Sequence, residues 1–243
     1  MTVGSGHPIS IQSMTFTKTS DKEATLSQIK QLENAGCEIV RFSVPDEECA
    51  KSIPYLKEHS SVPLVADIHF NYRLALQAVE YGIDKIRINP GNIGGSERVK
   101  QVANACKSKN IPIRIGVNGG SLEKHILEKY GSPTPEALCE SAMYHVKLLE
   151  RFDFNDIIVS IKSSDVETTV KANRLFAQMT DYPLHLGVTE AGTERMGLIR
   201  SSIGLGALLV DGIGDTMRVS LSDDVVKEVN AAKDILFSLG LRS

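Results

Sequence analysis

The sequence has little of what several large classes of protein require. It contains no tryptophan, and only 5% of its residues are aromatic. No stretch reaches the about 18 uninterrupted apolar residues that a membrane-spanning helix needs, so we expect no membrane protein. The N-terminus has no basic segment followed by an apolar core and therefore does not resemble a secretory signal. With 27 basic and 30 acidic residues the net charge is −3, so no general positive field favours nucleic acid or a membrane surface.

Cysteine is also scarce, and its spacing argues against a metal site. The four cysteines are Cys37, Cys49, Cys106 and Cys139, and no two of them form a C-x-x-C pair. Free cysteine is among the most buried residue types, so we expect structural thiols in the core. A metal site built from these four is not expected, and a reducing cytoplasm suits them.

What the chain does have is a regular alternation of short apolar runs and longer helical patterns over its 243 residues. Eight strand-then-helix units predict an α/β fold of the (β/α)8 TIM-barrel class, with parallel strands, as one substrate-binding domain over residues 1–243. The segment 119–134 is expected to be a long loop with a short helix, serving as a lid, a contact surface or a plain surface excursion. The predicted strands are 9–14, 38–44, 63–69, 84–89, 112–118, 156–162, 183–189 and 215–221. The predicted helices are 21–35, 46–58, 71–81, 96–109, 135–151, 165–179, 195–209 and 223–239.

Residues at the predicted helix ends agree with these boundaries. Asp21 and Ser96 are of the type that caps helix N-termini. Gly36, Gly82 and Gly240 follow predicted C-termini, where a left-handed conformation favours glycine. The sequence therefore predicts N-caps at Asp21 and Ser96 and left-handed glycines at the other three positions.

Four arginines interrupt strands that are otherwise apolar. Arg41, Arg87, Arg114 and Arg218 each lie between aliphatic or aromatic residues of a predicted strand. A guanidinium keeps its charge, and burying it without a partner costs several kcal/mol. Four such residues, each in a different strand, indicate a shared anionic ligand.

Side-chain alternation places other polar groups on the same faces as these arginines, towards the carboxyl ends of the strands, where barrel enzymes have their active sites. We count five cations on these faces and two anions, Asp67 and Glu190. A single strand arginine could pair with a barrel carboxylate, but two carboxylates cannot match all four. Arginine binds phosphate bidentately, so a ligand with two phosphates is predicted. The predicted phosphate-binding residues are Arg41, Arg87, Asn89, Arg114, Asn118, Lys162, Arg218 and Ser220.

Several longer segments resemble one enzyme family. They are Pro8–Thr15 (PISIQSMT), Ala66–Phe70 (ADIHF), Arg87–Gly94 (RINPGNIG), Ile113–Asn118 (IRIGVN), Leu184–Gly192 (LHLGVTEAG) and Gly212–Thr216 (GIGDT), followed by Arg218–Leu221 (RVSL). In this order they resemble the 4-hydroxy-3-methylbut-2-enyl diphosphate synthases of the methylerythritol phosphate route to isoprenoids. The resemblance runs over essentially the whole chain.

This resemblance implies an oxidoreductase that opens 2-C-methyl-D-erythritol 2,4-cyclodiphosphate and reduces it by two electrons, with loss of a hydroxyl as water. The eight predicted phosphate-binding residues match the family's diphosphate-binding positions, and Thr189 is implied to be a ninth substrate-binding residue. Asp67, His69, Thr189 and Glu190 are implied to face the sugar-derived part. Asp67, His69 and Glu190 are the catalytic candidates, and Glu190 is the choice for handling the proton.

The family also carries a second domain whose three cysteines and one glutamate hold a 4Fe-4S cluster. This sequence has no C-x-x-C pair and ends where that domain would begin, so we expect no metal ligand here and no reduction by this chain alone. The resemblance implies ferredoxin or flavodoxin as the electron donor, and a homodimer in which one subunit's cluster domain caps the other's barrel.

Two other enzyme classes fit part of the pattern. A Schiff-base aldolase would use Lys162 as its nucleophile, since a lysine near other cations can have a lowered pKa. A pterin-binding synthase barrel also binds phosphate with arginine and lysine at its strand ends. A non-catalytic binding module is the third alternative for the isolated chain.

Overall fold

The computed structural model describes residues 1–4, 6–189, 193–221 and 224–242. All eight predicted strands are present in this part of the chain, although several are shorter than predicted. The strands are β1 (Ser10–Met14), β2 (Ile39–Ser43), β3 (Leu64–Asp67), β4 (Lys85–Ile88), β5 (Ile113–Asn118), β6 (Ile157–Lys162), β7 (His185–Leu186) and β8 (Thr216–Met217).

At least one helix follows each strand. The predicted second helix, 46–58, is two helices, because Pro54 has no N–H to continue the first and is accommodated at the start of the second. The segment 119–134 contains a 3₁₀ turn (Gly119–Ser121) and a short helix, as predicted. The helices are α1 (Lys22–Asn34), α2 (Glu47–Lys51), α3 (Ile53–His59), α4 (Tyr72–Glu80), α5 (Ser96–Lys109), α6 (Lys124–Tyr130), α7 (Pro135–Glu150), α8 (Val166–Ala177), α9 (Glu194–Val210) and α10 (Val225–Ser238).

The strands follow the order β6-β5-β4-β3-β2-β1-β8-β7, and the strand pairs described are parallel. A parallel bridge between Val159 and Leu184 joins β6 to the segment that leads into β7. This order, with a helix after each strand, is that of a (β/α)8 barrel. The predicted fold class is therefore confirmed. No helix in the described residues is long and apolar enough to cross a membrane.

The chain divides into two compact units. The first, here called the Asp67 unit, comprises residues 14–115 and 145–157. In its parallel ladder Asp67 lies beside Ser43 on one side and Arg87 on the other, and Arg87 lies beside Arg114. Residues in register across parallel strands point to the same face, so the ladder brings Asp67, Arg87 and Arg114 to one face.

The second, here called the Arg218 unit, comprises residues 1–13, 116–144 and 158–243. Here β8 pairs with β1 and with β7, and Thr216 lies beside both Ser10 and His185. The predicted strand 215–221 ends early as β8. One reason is that the N–H of Leu221 donates to the carboxylate of Glu228 at 3.0 Å instead of continuing a ladder.

The predicted helix ends are mostly correct. Asp21 caps α1 by accepting a hydrogen bond from the Ala24 N–H. Gly36, Gly82 and Gly240 have φ values of 83°, 79° and 67°. The prediction for Ser96 was wrong by one residue, because Ser96 is the first residue of α5 and Gly95 occupies the N-cap.

Candidate functional site

In the Asp67 unit, one buried carboxylate lies among three basic side chains. Arg87 donates from Nη1 to Asp67 Oδ1 at 3.0 Å. Arg41 Nε lies 3.5 Å from Asp67 Oδ2, and His69 Nε2 lies 3.9 Å from the same oxygen. Arg41 also contacts the Met14 sulfur, at 3.2 Å from Nε and 3.0 Å from Nη2. Asp67 therefore offsets one charge of a group that contains two arginines.

The electrostatics of Asp67 follow from these neighbours. Burial alone would raise the pKa of Asp67, but the charges of Arg41 and Arg87, with smaller contributions from His69 and Arg114, lower it to about 2. Asp67 is consequently a carboxylate throughout the physiological pH range.

Arg114 and Asn89 belong to the same unit. Arg114 is only 1% exposed and lies in register with Arg87. Lys85, on the same strand as Arg87, has its pKa lowered to about 7, chiefly by burial and then by the charge of Arg114. Asn89 is buried just beyond β4, and its side-chain oxygen accepts from the Gly91 N–H at 3.0 Å. Asn89 therefore orders the glycine-containing loop that begins after it.

The Arg218 unit contains a cavity of ≈ 670 Å³ at the carboxyl ends of its strands. Asn118 is the last residue of β5 and leads into the turn at Gly119. Thr189 comes after β7, and Ser220 comes after β8. Four of the predicted binding residues lie in the lining of this cavity: Asn118, Thr189, Arg218 and Ser220.

Lys162 ends β6 in the same unit and is buried. Its position depends on Gly187, because a Cβ at residue 187 would lie 2.7 Å from Lys162 Nζ and 3.1 Å from the carbonyl oxygen of Arg218. Any larger residue at 187 would displace the ammonium group or the β8 backbone. Glycine at this position therefore makes room for the lysine.

The structure adds an acidic residue that sequence analysis did not identify. Glu228 of α10 is 1% exposed and binds Arg218 with both oxygens, at 3.1 Å from Nε to Oε2 and 3.0 Å from Nη2 to Oε1. Ser13 Oγ donates to Oε2 at 2.8 Å. The expectation that only Asp67 and Glu190 could match the strand arginines was therefore wrong, and the positive excess is smaller by one charge.

A signal for Glu228 was present in the sequence. Val225, Val229, Ala232 and Ile235 form the buried face of α10 at helical spacing, and Glu228 falls within that face. A glutamate in an apolar helical stripe indicates a buried partner. Glu190, the predicted proton-handling residue, lies outside the described residues.

The cysteines do not form a cluster site. All four are free and buried, and burial raises the pKa of Cys106 and Cys139 to about 12 in each case. Within the described residues, no three His, Cys, Asp or Glu side chains are grouped so that they could hold a metal ion. The side chains present therefore do not fit an iron–sulfur cluster, whose ligands are thiolates.

Comparison with known proteins places the chain in a family. The family model described as the GcpE TIM-barrel domain matches residues 1–233. The chain belongs to the GcpE TIM-barrel family. The barrel named in that description agrees with the strand order found here.

Two curated relatives of this GcpE barrel carry the same enzyme name. The protein of Fusobacterium nucleatum named 4-hydroxy-3-methylbut-2-en-1-yl diphosphate synthase (flavodoxin) is 60% identical over 239 residues, which are 98% of this chain and 68% of that protein. The protein of the same name from Geobacillus kaustophilus is 58% identical over 243 residues, which are 100% of this chain and 65% of that protein. The chain thus spans about two thirds of the length of these relatives.

Solved structures with a similar fold are much more distant in sequence. A 3-dehydroquinate dehydratase from Geobacillus kaustophilus superimposes with a TM-score of 0.68 at 14% identity, covering 97% of this chain and 93% of that one. The Yersinia pestis dihydropteroate synthase superimposes with a TM-score of 0.67 at 9% identity, covering 96% and 93%. These likenesses concern the fold alone and favour none of the alternative activities.

Proposed function

We propose that this GcpE barrel is the substrate-binding domain of a 4-hydroxy-3-methylbut-2-enyl diphosphate synthase. The reaction opens the ring of 2-C-methyl-D-erythritol 2,4-cyclodiphosphate, takes up two electrons and two protons, and releases one hydroxyl as water. The product is 4-hydroxy-3-methylbut-2-enyl diphosphate. The observation that carries the proposal is the 60% identity, over 98% of the chain, to a relative bearing that enzyme name.

The charges of the site support a diphosphate as the ligand. In this proposal Arg41, Arg87, Arg114, Lys162 and Arg218 bind phosphate oxygens through charge-assisted hydrogen bonds, which are about twice as strong as neutral ones. Three neutral side chains complete the set of phosphate donors, Asn89, Asn118 and Ser220. Thr189 contacts the sugar-derived part. Burial of Arg41, Arg114 and Arg218 favours this role, because a desolvated guanidinium gains more from an anion than an exposed one does.

The pKa of Asp67 limits what this residue can do. A carboxyl with a pKa of about 2 holds no proton at neutral pH and cannot donate one to the leaving hydroxyl. Asp67 therefore acts as the counter-ion of Arg41 and Arg87 and accepts a hydrogen bond from the sugar-derived part. The proton for the leaving hydroxyl comes from Glu190, and His69 is the second candidate because it lies beside Asp67 and is partly exposed.

Electrons come from outside this chain in the proposal. The described residues do not fit a 4Fe-4S cluster. In the proposal, a cluster held elsewhere in the complete enzyme would supply the two electrons. Flavodoxin is the donor because it is the protein named for the relatives, and ferredoxin is the alternative. The enzyme is placed in the cytoplasm, where free thiols such as these four stay reduced.

The complete enzyme is a homodimer in this proposal, and helix α9 supports that part of it. Met196, Ile199, Ile203 and Val210 are 42%, 39%, 59% and 72% exposed, at spacings of three, four and seven residues. Such spacing presents one apolar stripe, as in paired helices. Asp211, which follows the C-terminal end of the stripe, is already paired with Arg174 at 2.7 Å, so the apolar side chains carry this part of the proposal.

Calorimetric titration of the purified chain with the cyclodiphosphate tests the substrate assignment. We expect saturable binding of one equivalent, which pterin diphosphate does not compete away. Tighter binding of pterin diphosphate would select the pterin-synthase alternative. A borohydride-trapped substrate adduct on Lys162 would select the aldolase alternative.

A further inference from the structure

Arg218 is held by a carboxylate that the proposed reaction does not use. Glu228 makes a two-point contact with the guanidinium, accepting from Nε at 3.1 Å and from Nη2 at 3.0 Å. Two parallel hydrogen bonds fix the plane of a guanidinium as well as its distance, which a single bond does not. The rotation of the Arg218 head group is therefore set from α10.

The carboxylate is itself held on both oxygens. Ser13 Oγ donates to Oε2 at 2.8 Å, and the Leu221 N–H donates to Oε1 at 3.0 Å. Each oxygen of Glu228 therefore binds Arg218 and one further donor. Since Glu228 is 1% exposed, water does not compete for these bonds. A buried carboxylate with four donors has little freedom to turn.

Two of the three residues that bind Glu228 lead to the cavity of the Arg218 unit. Arg218 lies in the cavity lining, and Leu221 follows Ser220, which also lies in it. Glu228 thus fixes the side chain of Arg218 and the backbone next to Ser220. Donors fixed before a ligand arrives lose less conformational entropy when it binds.

We infer that Glu228 is a positioning residue, which orients Arg218 and the Ser220 segment to bind an anionic group, a phosphate in the proposed substrate. The inference rests on the proposed function for the identity of the ligand but not for the orientation of Arg218. Hydrophobic residues of similar volume often stabilise a fold as well as a buried ion pair does. Stability alone therefore does not explain why this ion pair lies beside a cavity.

The chain offers a matched control for Glu228. Glu33 in α1 also accepts from a cation, a serine hydroxyl and a backbone N–H: Lys30 Nζ at 2.7 Å, Ser60 Oγ at 3.0 Å and Ser61 N at 2.7 Å. It lies in the Asp67 unit, and the contacts given for it include no predicted binding residue. Glu33→Gln therefore measures what losing such a carboxylate does to the fold alone.

The experiment combines binding with a spectroscopic readout. Inorganic pyrophosphate and the cyclodiphosphate are each titrated calorimetrically into the wild type, Glu228→Gln, Glu33→Gln, Arg218→Met and the Arg218→Met/Glu228→Gln double variant. The Nε–H resonance of Arg218, assigned by its loss in Arg218→Met, is followed in ¹⁵N-edited spectra without ligand.

We expect Glu228→Gln to weaken pyrophosphate binding at least tenfold and Glu33→Gln to change it less than twofold. The double variant should bind within twofold of Arg218→Met, because Glu228 acts through that arginine. The Arg218 Nε–H signal should be slow to exchange in the wild type and in Glu33→Gln and exchange rapidly in Glu228→Gln. Unchanged affinity in Glu228→Gln, or losses that add fully in the double variant, would overturn the inference.

Three further outcomes are informative. If Glu228→Gln does not fold, Ser13→Ala replaces it, because loss of the Ser13 hydroxyl loosens Oε2, which also binds Arg218. We then expect at least a threefold loss of affinity, and no loss overturns the inference. Binding of pyrophosphate without binding of the cyclodiphosphate rejects the proposed function and leaves the inference to be decided on pyrophosphate. Binding of neither anion rejects both.

Discussion

Three of the strand arginines form ion pairs with carboxylates, in two different arrangements. Arg41 and Arg87 share the carboxylate of Asp67, whereas Arg218 has Glu228 to itself. One carboxylate that contacts two guanidinium groups offsets one of their two charges, and in the proposed function an anionic ligand also binds there. The Arg218 pair is locally balanced, so its value for binding lies in orientation and in the strength of its hydrogen bonds.

Replacing Arg87 or Arg114 by a neutral residue should weaken anion binding. We expect Arg87→Met and Arg114→Met each to reduce affinity for the cyclodiphosphate by more than about 2 kcal/mol, the approximate value of a buried hydrogen bond to a charged group. The measurement is calorimetric titration, with Arg73→Met as control because Arg73 is exposed on α4 of the same unit. Unchanged affinity in both variants would remove these arginines from the site.

Asp67 should make the stability of the fold depend on pH. Its pKa of about 2 in the folded chain lies below the value of about 3.9 in an unfolded chain, so the folded state favours the charged form. The resulting stabilisation, about 2 kcal/mol, is complete above about pH 4 and is lost as the pH falls through about 2. Urea unfolding should show that Asp67→Asn lowers the free energy of unfolding more at pH 7 than at pH 3. An equal loss at both pH values would contradict this.

At the scale of single elements, strand β4 begins with a lysine whose charge is unfavourable in the folded state. Burial, and then the charge of Arg114, lower the pKa of Lys85 to about 7, against about 10.4 in an unfolded chain. Between these values the unfolded chain binds the extra proton, so stability should rise with pH. In Lys85→Met we expect a smaller rise in the free energy of unfolding between pH 7 and pH 9. Lys107→Met, an exposed lysine of the same unit, should retain the wild-type rise.

Helix α9 has more apolar residues than it buries within this chain. No charged residue occurs from Ser201 to Val210, although Ile203 and Val210 of that segment are exposed. Exposed apolar residues in a continuous stripe indicate an interaction surface. This is the physical basis for proposing a second copy of the chain as its partner.

A charged residue in the apolar stripe of α9 should abolish self-association of the chain. Ile203→Glu places a charge in the middle of the stripe and should shift sedimentation velocity from dimer to monomer, since a buried unpaired charge costs several kcal/mol. Tyr144→Glu, at a comparably exposed position on α7, should leave the association unchanged. A wild-type chain that is monomeric at high concentration, or a dimer that tolerates Ile203→Glu, would contradict the proposed surface.

At the scale of the whole molecule, binding and reduction are assigned to different parts of the enzyme. The purified chain should be colourless and contain no stoichiometric iron, because its described residues do not group into a metal site. Iron analysis and visible absorbance after anaerobic reconstitution check this, with the full-length Geobacillus kaustophilus relative treated in parallel. Cluster-like absorbance in the chain itself would overturn the division. Adding the cluster domain in trans should restore reductive turnover to a chain that alone only binds.

The alternation of apolar runs with helical patterns was enough to predict the (β/α)8 class, because period-2 and period-3.6 patterns reflect local burial. Strand ends were harder to predict. The predicted strands 183–189 and 215–221 shortened to β7 and β8. At the end of the second segment the Leu221 N–H donates to the side chain of Glu228 and not to a neighbouring strand. The split between α2 and α3 was predictable in principle from Pro54.

By itself the sequence determined the order of strands and helices, the buried state of the cysteines, and which arginines lie in strands. Only the tertiary structure decided how those arginines are paired. Ser13 and Glu228 are 215 residues apart along the chain, yet they share a hydrogen bond of 2.8 Å around Arg218. Local patterns report which face of an element is buried. The partner of a buried charge depends on how distant elements pack, and no local pattern contains that information.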